Sequence, residues 1–228
     1  MREEQGPVQF GAPDAWALRA GYRLVAGVDE AGIGAMAGPV VAAAVLLAED
    51  DALLLVGDSK ALTPEQREAA YREILDHALS WSAAVVEPDL VDRINVWHAA
   101  HLAMRRALAG LDVTPEFALI DGLPPRGIRL PHRAIVDGDA LSPRIGAASI
   151  VAKVTRDRIM QRMDLLYRGY GLAQNKGYCT PAHRRAVKRL GPSVIHRRSY
   201  VPVDQARGLR LPFDPQELAR LAEGDEPR

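Results

Sequence analysis

The stretch Leu24-Val25-Ala26-Gly27-Val28-Asp29-Glu30-Ala31-Gly32-Ile33-Gly34-Ala35-Met36-Ala37-Gly38-Pro39, followed by Val40 to Leu47, constrains the fold more than any other part of the chain. An apolar run of strand length ends in two adjacent acids, a turn with three glycines follows, and a second apolar run opens at Pro39. Two such runs joined by a Gly-rich connection predict a β-hairpin. Successive strand side chains point to opposite faces. Asp29 and Glu30 therefore serve one site together only if the strand ends or twists at them, which the following glycines permit. Taken alone, Asp-Glu also fits a solvated surface turn.

The rest of the chain alternates strand and helix signals. Asp14 to Ala20 predicts a short capped helix beside the first strand. Thr63, Pro64 and Gln66 stand where an N-cap, a first helical residue and a capping-box partner belong, and Ala70, Ile74, Leu75 and Leu79 carry that helix to about residues 77–79. Residues 81–86 read as a strand, 88–94 as a short helical turn, and Asn95 caps a helix with Ala99, Leu102, Ala103, Ala107 and Leu108 on its inner face. Phe117 to Asp121 and Ala134 to Val136 are short apolar strands, the second closed by Asp137-Gly138-Asp139. Residues 142–167 and 181–190 are helical by pattern, and Pro215 to Ala222 is a weak amphipathic piece. Strands first, then strands interleaved with helices, predict an α/β fold with a mixed sheet. The expected organisation is an N-terminal segment over 1–20, one α/β domain over 21–203 and a tail over 204–228.

Composition limits the classes open to such a chain. At 228 residues with 48% hydrophobic and 25% charged residues it suits one soluble domain with a sizeable core. No apolar run reaches the roughly 20 residues of a membrane helix, and the start lacks a signal-peptide core. Cys179 is the only cysteine, which excludes an intrachain disulfide and a Cys-based metal cage. A cytoplasmic protein, a monomer with no membrane partner, is the expectation. Residues 140–200 hold thirteen Lys and Arg against two acids, Asp157 and Asp164, although the chain as a whole is formally neutral. Such a segment either tracks a phosphate backbone or forms solvated helix faces.

Three strand ends carry acids: Asp29 with Glu30, then Asp121, then Asp139. Like charges about 4 Å apart repel by roughly 4 kcal/mol at an effective dielectric of 20, so a proton or a cation must neutralise such a cluster. Oxygen ligands with no Cys or His nearby in sequence favour Mg²⁺ or Mn²⁺ over zinc. Taken singly, Asp121 and Asp139 also fit turn positions, because Asp-Gly and Gly-Asp are turn signals.

The opening string resembles the signature of ribonuclease HII, the type 2 ribonuclease H family, with Ile33 where that signature has Arg between its two glycines. Phe117 to Gly122 is similar to the family's strand ending in Asp-Gly. Val136 to Asp139, with Gly146-Ala147-Ala148-Ser149-Ile150-Val151-Ala152-Lys153-Val154-Thr155-Arg156-Asp157, resembles its Gly-Asp and Ala-Ala-Ser-Ile block. Asp58-Ser59-Lys60, Lys176-Gly177-Tyr178-Cys179-Thr180 with His183, and Gly191-Pro192-Ser193 with His196-Arg197-Arg198-Ser199-Tyr200 match further blocks. The spacing of Asp121 and Asp139 resembles the bacterial form.

The resemblance implies a ribonuclease H-like mixed sheet flanked by helices, with a short C-terminal helical extension. It implies a metal-dependent endoribonuclease that cuts the RNA strand of RNA–DNA hybrids and nicks duplex DNA on the 5′ side of embedded ribonucleotides, leaving 3′-hydroxyl and 5′-phosphate ends. Asp29, Glu30, Asp121 and Asp139 would hold one or two Mg²⁺ or Mn²⁺ ions; Asp157 competes for the fourth place, with Arg156 and Arg158 beside it for pairing. Gly32, Ile33, Gly34, Lys60, Lys153 and Tyr178 would meet the substrate, with ion pairing or plain packing as alternatives for the lysines and Tyr178. His183 is expected to be a cap or a phosphate contact, and Cys179 inert packing. The rivals are ribonuclease HIII (for whose extra domain the 28 residues before Asp29 leave no room), a DNA junction nuclease of related fold, and a silent nucleic-acid-binding homologue. Ile33 cannot contact phosphate as Arg does. All four acids and both flanking glycines remain, so the chain is expected to cut a single-ribonucleotide duplex as it stands. An inactive parent beside an active Ile33→Arg variant would show that the guanidinium is indispensable.

Overall fold

The computed structural model describes residues 11–48 and 62–206. Five strands, β1 (Val25–Ala31), β2 (Val40–Leu46), β3 (Ser80–Val86), β4 (Phe117–Asp121) and β5 (His132–Ile135), form one sheet in the order β3-β2-β1-β4-β5. The hairpin is antiparallel, with Asp29 opposite Ala43 and Glu30 opposite Ala42, and β3 continues the antiparallel half. β4 and β5 add in parallel, with Val28 beside Ile120. The sheet is therefore mixed, and its centre, β1, lies between an antiparallel and a parallel neighbour.

Pleating divides the core. Ala43, Val45 and Leu47 pack on one face under α2 (Pro64–His77) and α6 (Pro143–Leu166), while Val40, Ala42 and Ala44 pack on the other under α4 (Val96–Ala109). α4 meets the sheet through Ala99, Ala100, Ala103, Met104 and Ala107; Leu102 and Leu108, expected on that face, are only partly buried. The predicted capping box of α2 is present: Thr63 Oγ1 accepts from the Gln66 N–H at 3.2 Å and Gln66 Oε1 accepts from the Thr63 N–H at 2.9 Å. Asn95 accepts from the Trp97 N–H at 2.8 Å to start α4 after the short α3 (Pro88–Ile94).

α1 (Ala12–Arg19) joins the same core: Ala17 clusters with Val25, Phe117, Leu119 and Ile145, and Asp14 pairs with buried Arg144 at 3.1 Å. Two expectations change. β1 runs one residue past the acids because Ala31 still pairs with Val41. Asp137-Gly138-Asp139 is no strand-closing turn, since Asp137 adopts φ 53° and the short helix α5 (Gly138–Leu141) begins directly after it. Beyond α6 lie α7 (Leu172–Asn175), α8 (Pro181–Leu190) and α9 (Val201–Ala206), the first and last unanticipated. Pro215 to Ala222 lies outside the described residues.

Gly27 marks the tightest seam. A Cβ there would stand 1.9 Å from the Arg144 carbonyl oxygen, at the first turn of α6. The obstacle is backbone, which cannot swing aside as a side chain can. Gly27→Ala is expected to destabilise the fold by roughly 3 kcal/mol or more, read as a lower urea midpoint at an unchanged m-value.

Candidate active site

At the end of β1, Asp29 faces the α6 side of the sheet, 5% exposed, and Glu30 takes the opposite orientation with partial exposure. Asp121 ends the parallel neighbour β4, and Asp139, 3% exposed, sits in the first turn of α5. α5 is tied to β4 by the Gly138 N–H, which donates to Asp121 Oδ1 at 2.7 Å. A Cβ at Gly138 would meet Ile145 Cδ1 at 2.6 Å and Asp121 Oδ1 and Ile135 Cβ at 3.3 Å, so a larger residue would have to displace those side chains. Four acids separated by up to 110 positions thus share one sheet edge.

Their electrostatics shows the crowding. Burial, then the charges of Glu30 and Asp121, raise the Asp29 carboxyl well above its ordinary value, opposed by hydrogen bonds from Ser149 and the Glu30 N–H, the latter at 2.6 Å. Burial, then Asp121 and Asp139, push Glu30 up to about 7. As the side chains lie, no three His, Cys, Asp or Glu groups among the described residues converge closely enough to hold one cation. The donor chemistry nonetheless fits a hard divalent cation: the four groups offer only carboxylate oxygens, and two of them resist ionising together without a counter-charge. Closing on a cation would fall to Glu30, whose longer side chain has torsions to turn, while Asp29 is already oriented by two donors.

A cleft of about 380 Å³ beside the acids is lined by Glu30, Gly32, Ile33, Ser149, Lys153 and Tyr178. It gathers four of the six expected substrate contacts. Gly34 is not in the lining, although a Cβ there would meet nothing within 4 Å, so the fold itself does not demand glycine at 34. Gly32 is demanded: its φ is +100° and a Cβ would stand 2.2 Å from Arg156 Nε. Lys60 lies outside the described residues, as do Asp58 and Ser59. Lys153 makes an ion pair with Asp157 at 2.6 Å and lies over the Tyr178 ring at 5.5 Å.

Asp157 is therefore paired, though not with the expected partners. Arg156 turns inward and donates to the carbonyls of Pro39, Lys176 and Ala37 at 2.8–3.1 Å, and Arg158 pairs with Glu68. Arg197, also buried, donates to the carbonyls of Gly38 and Ile33, both at 3.0 Å, and the Tyr200 hydroxyl donates to the same Ile33 oxygen. With Arg144, three of the thirteen basic side chains of residues 140–200 are interior and serve the fold, and the other ten are not among the buried residues.

His183 is no phosphate contact, since it is fully buried. Its Nε2 lies 3.1 Å from His196 Nε2, its Nδ1 lies 3.0 Å from the Tyr178 carbonyl, and His196 Nδ1 accepts from the Ser193 N–H at 3.0 Å. Those partners fix both tautomers: His196 donates through Nε2, and His183 donates through Nδ1. Burial and the neighbouring His183 lower His196 to about 4, so both rings stay neutral. Ser149, Arg156, Arg197 and the histidine pair stand inside the motif blocks of the sequence, but only tertiary contacts reveal what they hold.

A mixed sheet with helices on both faces and carboxylates gathered at one edge defines the ribonuclease H-like class of nuclease fold. The family model for ribonuclease HII matches residues 26–203, and the chain belongs to that family; it is a ribonuclease H. Among solved structures, the ribonuclease H2 from Pyrococcus horikoshii OT3 is 28% identical with a TM-score of 0.70, covering 81% of this chain and 97% of that one. The ribonuclease HII of Archaeoglobus fulgidus, solved as a complex with PCNA, is 27% identical with a TM-score of 0.66, covering 85% and 99%. Bst-RNase HIII in complex with Mn²⁺ is 19% identical with a TM-score of 0.67, covering 86% and 73%, a likeness of fold alone. No helix among the described residues is long and apolar enough to cross a membrane.

The elevated Glu30 carboxyl makes the stability of the fold depend on pH. Between about pH 4.5 and 7 the folded, metal-free protein keeps a proton that the unfolded chain releases, so this group's contribution to stability falls as pH rises through that window. In EDTA, Glu30→Gln is expected to melt higher than the parent at about pH 8, with the difference shrinking toward about pH 5. A variant that melts lower at both pH values would contradict the crowding.

Proposed function

We propose that the chain is a divalent-metal-dependent endonuclease. It cuts the RNA strand of RNA–DNA hybrids and nicks duplex DNA on the 5′ side of an embedded ribonucleotide, leaving 3′-hydroxyl and 5′-phosphate ends. The observation that carries this reading is the gathering of Asp29, Glu30, Asp121 and Asp139 at one sheet edge, beside a cleft walled by Gly32, Ile33 and Tyr178, in a chain of the ribonuclease HII family. Mg²⁺ or Mn²⁺ held by the four acids would neutralise their charge, activate the attacking water and stabilise the leaving oxygen. That a protein of the same fold has been solved with Mn²⁺ supports the choice of ion.

The chain's own groups account for recognition. The 2′-hydroxyl is what distinguishes a ribonucleotide from its DNA surroundings. Gly34, with open space where a Cβ would be, lets a sugar approach backbone, and Gly32 keeps the turn flat against Arg156. Tyr178 offers a ring for the next sugar, steadied by the Arg156 guanidinium at 5.1 Å and Lys153 at 5.5 Å from its centroid. Lys153 also stands in reach of the cleft as a phosphate partner, and Lys60 is proposed for the same role. The protein works as a cytoplasmic monomer in this reading.

A labelled duplex with one ribonucleotide tests it. Product with a 3′-hydroxyl end is expected only with Mg²⁺ or Mn²⁺, and Asp29→Asn or Asp139→Asn should each lower the rate by roughly a hundredfold or more. Equal cutting of an all-DNA junction would favour the junction-nuclease reading, and salt-sensitive binding without product would favour a silent homologue.

A further inference from the structure

A second cleft, of about 540 Å³, opens on the other side of the same acids. Glu30 and Ile33 wall both clefts, and here they face α4 and the loop after β4. Its far wall carries two large apolar side chains in the open, Trp97 at 57% and Leu123 at 70% exposure. Single exposed apolar residues are ordinary, but these two share one cleft. Among them stand basic groups: His98 and His101 on α4 and Arg126 on the loop. His98 directs Nδ1 to the Ile94 carbonyl at 2.8 Å, which leaves Nε2 unused by that bond, and the buried His101 Nδ1 has no partner among the described residues. Burial, then the neighbouring His98, Arg105 and Arg126, holds the His101 imidazole below its ordinary value, a sign that positive groups crowd here. Arg105 also ties the loop to α4, donating to the Arg126 carbonyl at 2.8 Å.

We propose that this cleft binds the sugar-phosphate chain of the substrate duplex on the side of the cleavage position opposite Tyr178, with Trp97 and Leu123 against a sugar face and Arg126, His98 and His101 around its phosphate. The proposal rests on the nuclease reading, because only a polymer passing over the acids would occupy both clefts at once. The pairing of apolar surface with basic groups suits a sugar-phosphate chain, in which apolar sugar faces alternate with phosphates, better than an acidic peptide, whose charges have no such regular apolar partner. The apolar wall likewise exceeds what a free phosphate needs.

The test uses Trp97→Ala and Arg126→Ala in the full chain. Both side chains are exposed, and both residues hold their neighbours through backbone atoms, so the fold is expected to persist. Three duplexes with one ribonucleotide are compared: one centred, and two with about three base pairs left on one side or the other. Each variant is expected to weaken binding and cleavage of the centred duplex roughly tenfold, and Arg126→Ala to reduce the salt slope by about 1. On one shortened duplex, and not on the other, the penalty should vanish. A penalty equal on all three duplexes, or none on any, overturns the proposal. Fluorescence anisotropy in EDTA reads the same penalties without cleavage, so a failure of the nuclease reading and a failure of this cleft give different results.

Discussion

Two buried guanidiniums hold the Gly-rich turn on which everything else is mounted. Within the chain between β1 and β2 the Ala35 N–H donates to the Gly32 carbonyl at 3.3 Å, and most other polar backbone groups must find partners outside the turn, although the segment is largely buried. Arg156 and Arg197 supply the missing donors, five bonds in all to the carbonyls of Ile33, Ala37, Gly38, Pro39 and Lys176. A planar guanidinium suits this because its donors fork in fixed directions. Backbone bonds from Met36 to Gly177 and from Arg197 to Met36 stitch the same turn to two later segments. Without these ties the end of β1 would have no fixed neighbour, and Asp29, Glu30 and Tyr178 would have no fixed relation.

Stability and charge oppose each other at this edge. Asp29 and Glu30 are raised because burial and like charges both disfavour ionisation, while Ser149 and the Glu30 N–H pull Asp29 back toward the anion. The result is a site that is uncomfortable by itself and suited to a counter-cation. The neutral pair of His183 and His196 behaves oppositely: burial keeps both rings uncharged, and each donor meets one acceptor along a chain ending at the Tyr178 carbonyl. One region is built to gather charge and the other to exclude it, with the turn between them.

Much of this was legible in the residues. Strict local chemistry made α2 readable, since Thr63, Pro64 and Gln66 each satisfy a specific terminal group. The hairpin and the acid-bearing strand ends were readable for the same reason. Arg156, Arg158 and Arg197 were not: a basic residue on a helix or in a loop reads as solvated or paired with a nearby acid, and only packing shows that Arg156 points at carbonyls more than a hundred positions away. His183 was misread because its role depends on His196, thirteen residues on, and α5 was missed because a left-handed Asp137 turns a strand end into a helix start.

The order and kind of the five strands and of α1 to α4, α6 and α8 follow from the sequence alone, because capping, glycine geometry and pleat periodicity act between residues a few positions apart. So does the placing of Asp29, Glu30 and Asp121 at strand ends, whereas Asp139 sits in the first turn of α5. Which acids meet, which arginines are swallowed and which cleft faces which side of Glu30 were decided only by the tertiary structure. The reason is that β1 pairs in parallel with a strand whose partner residues lie 92 positions later, Val25 with Phe117 for example, and no local interaction encodes the register of such a pair.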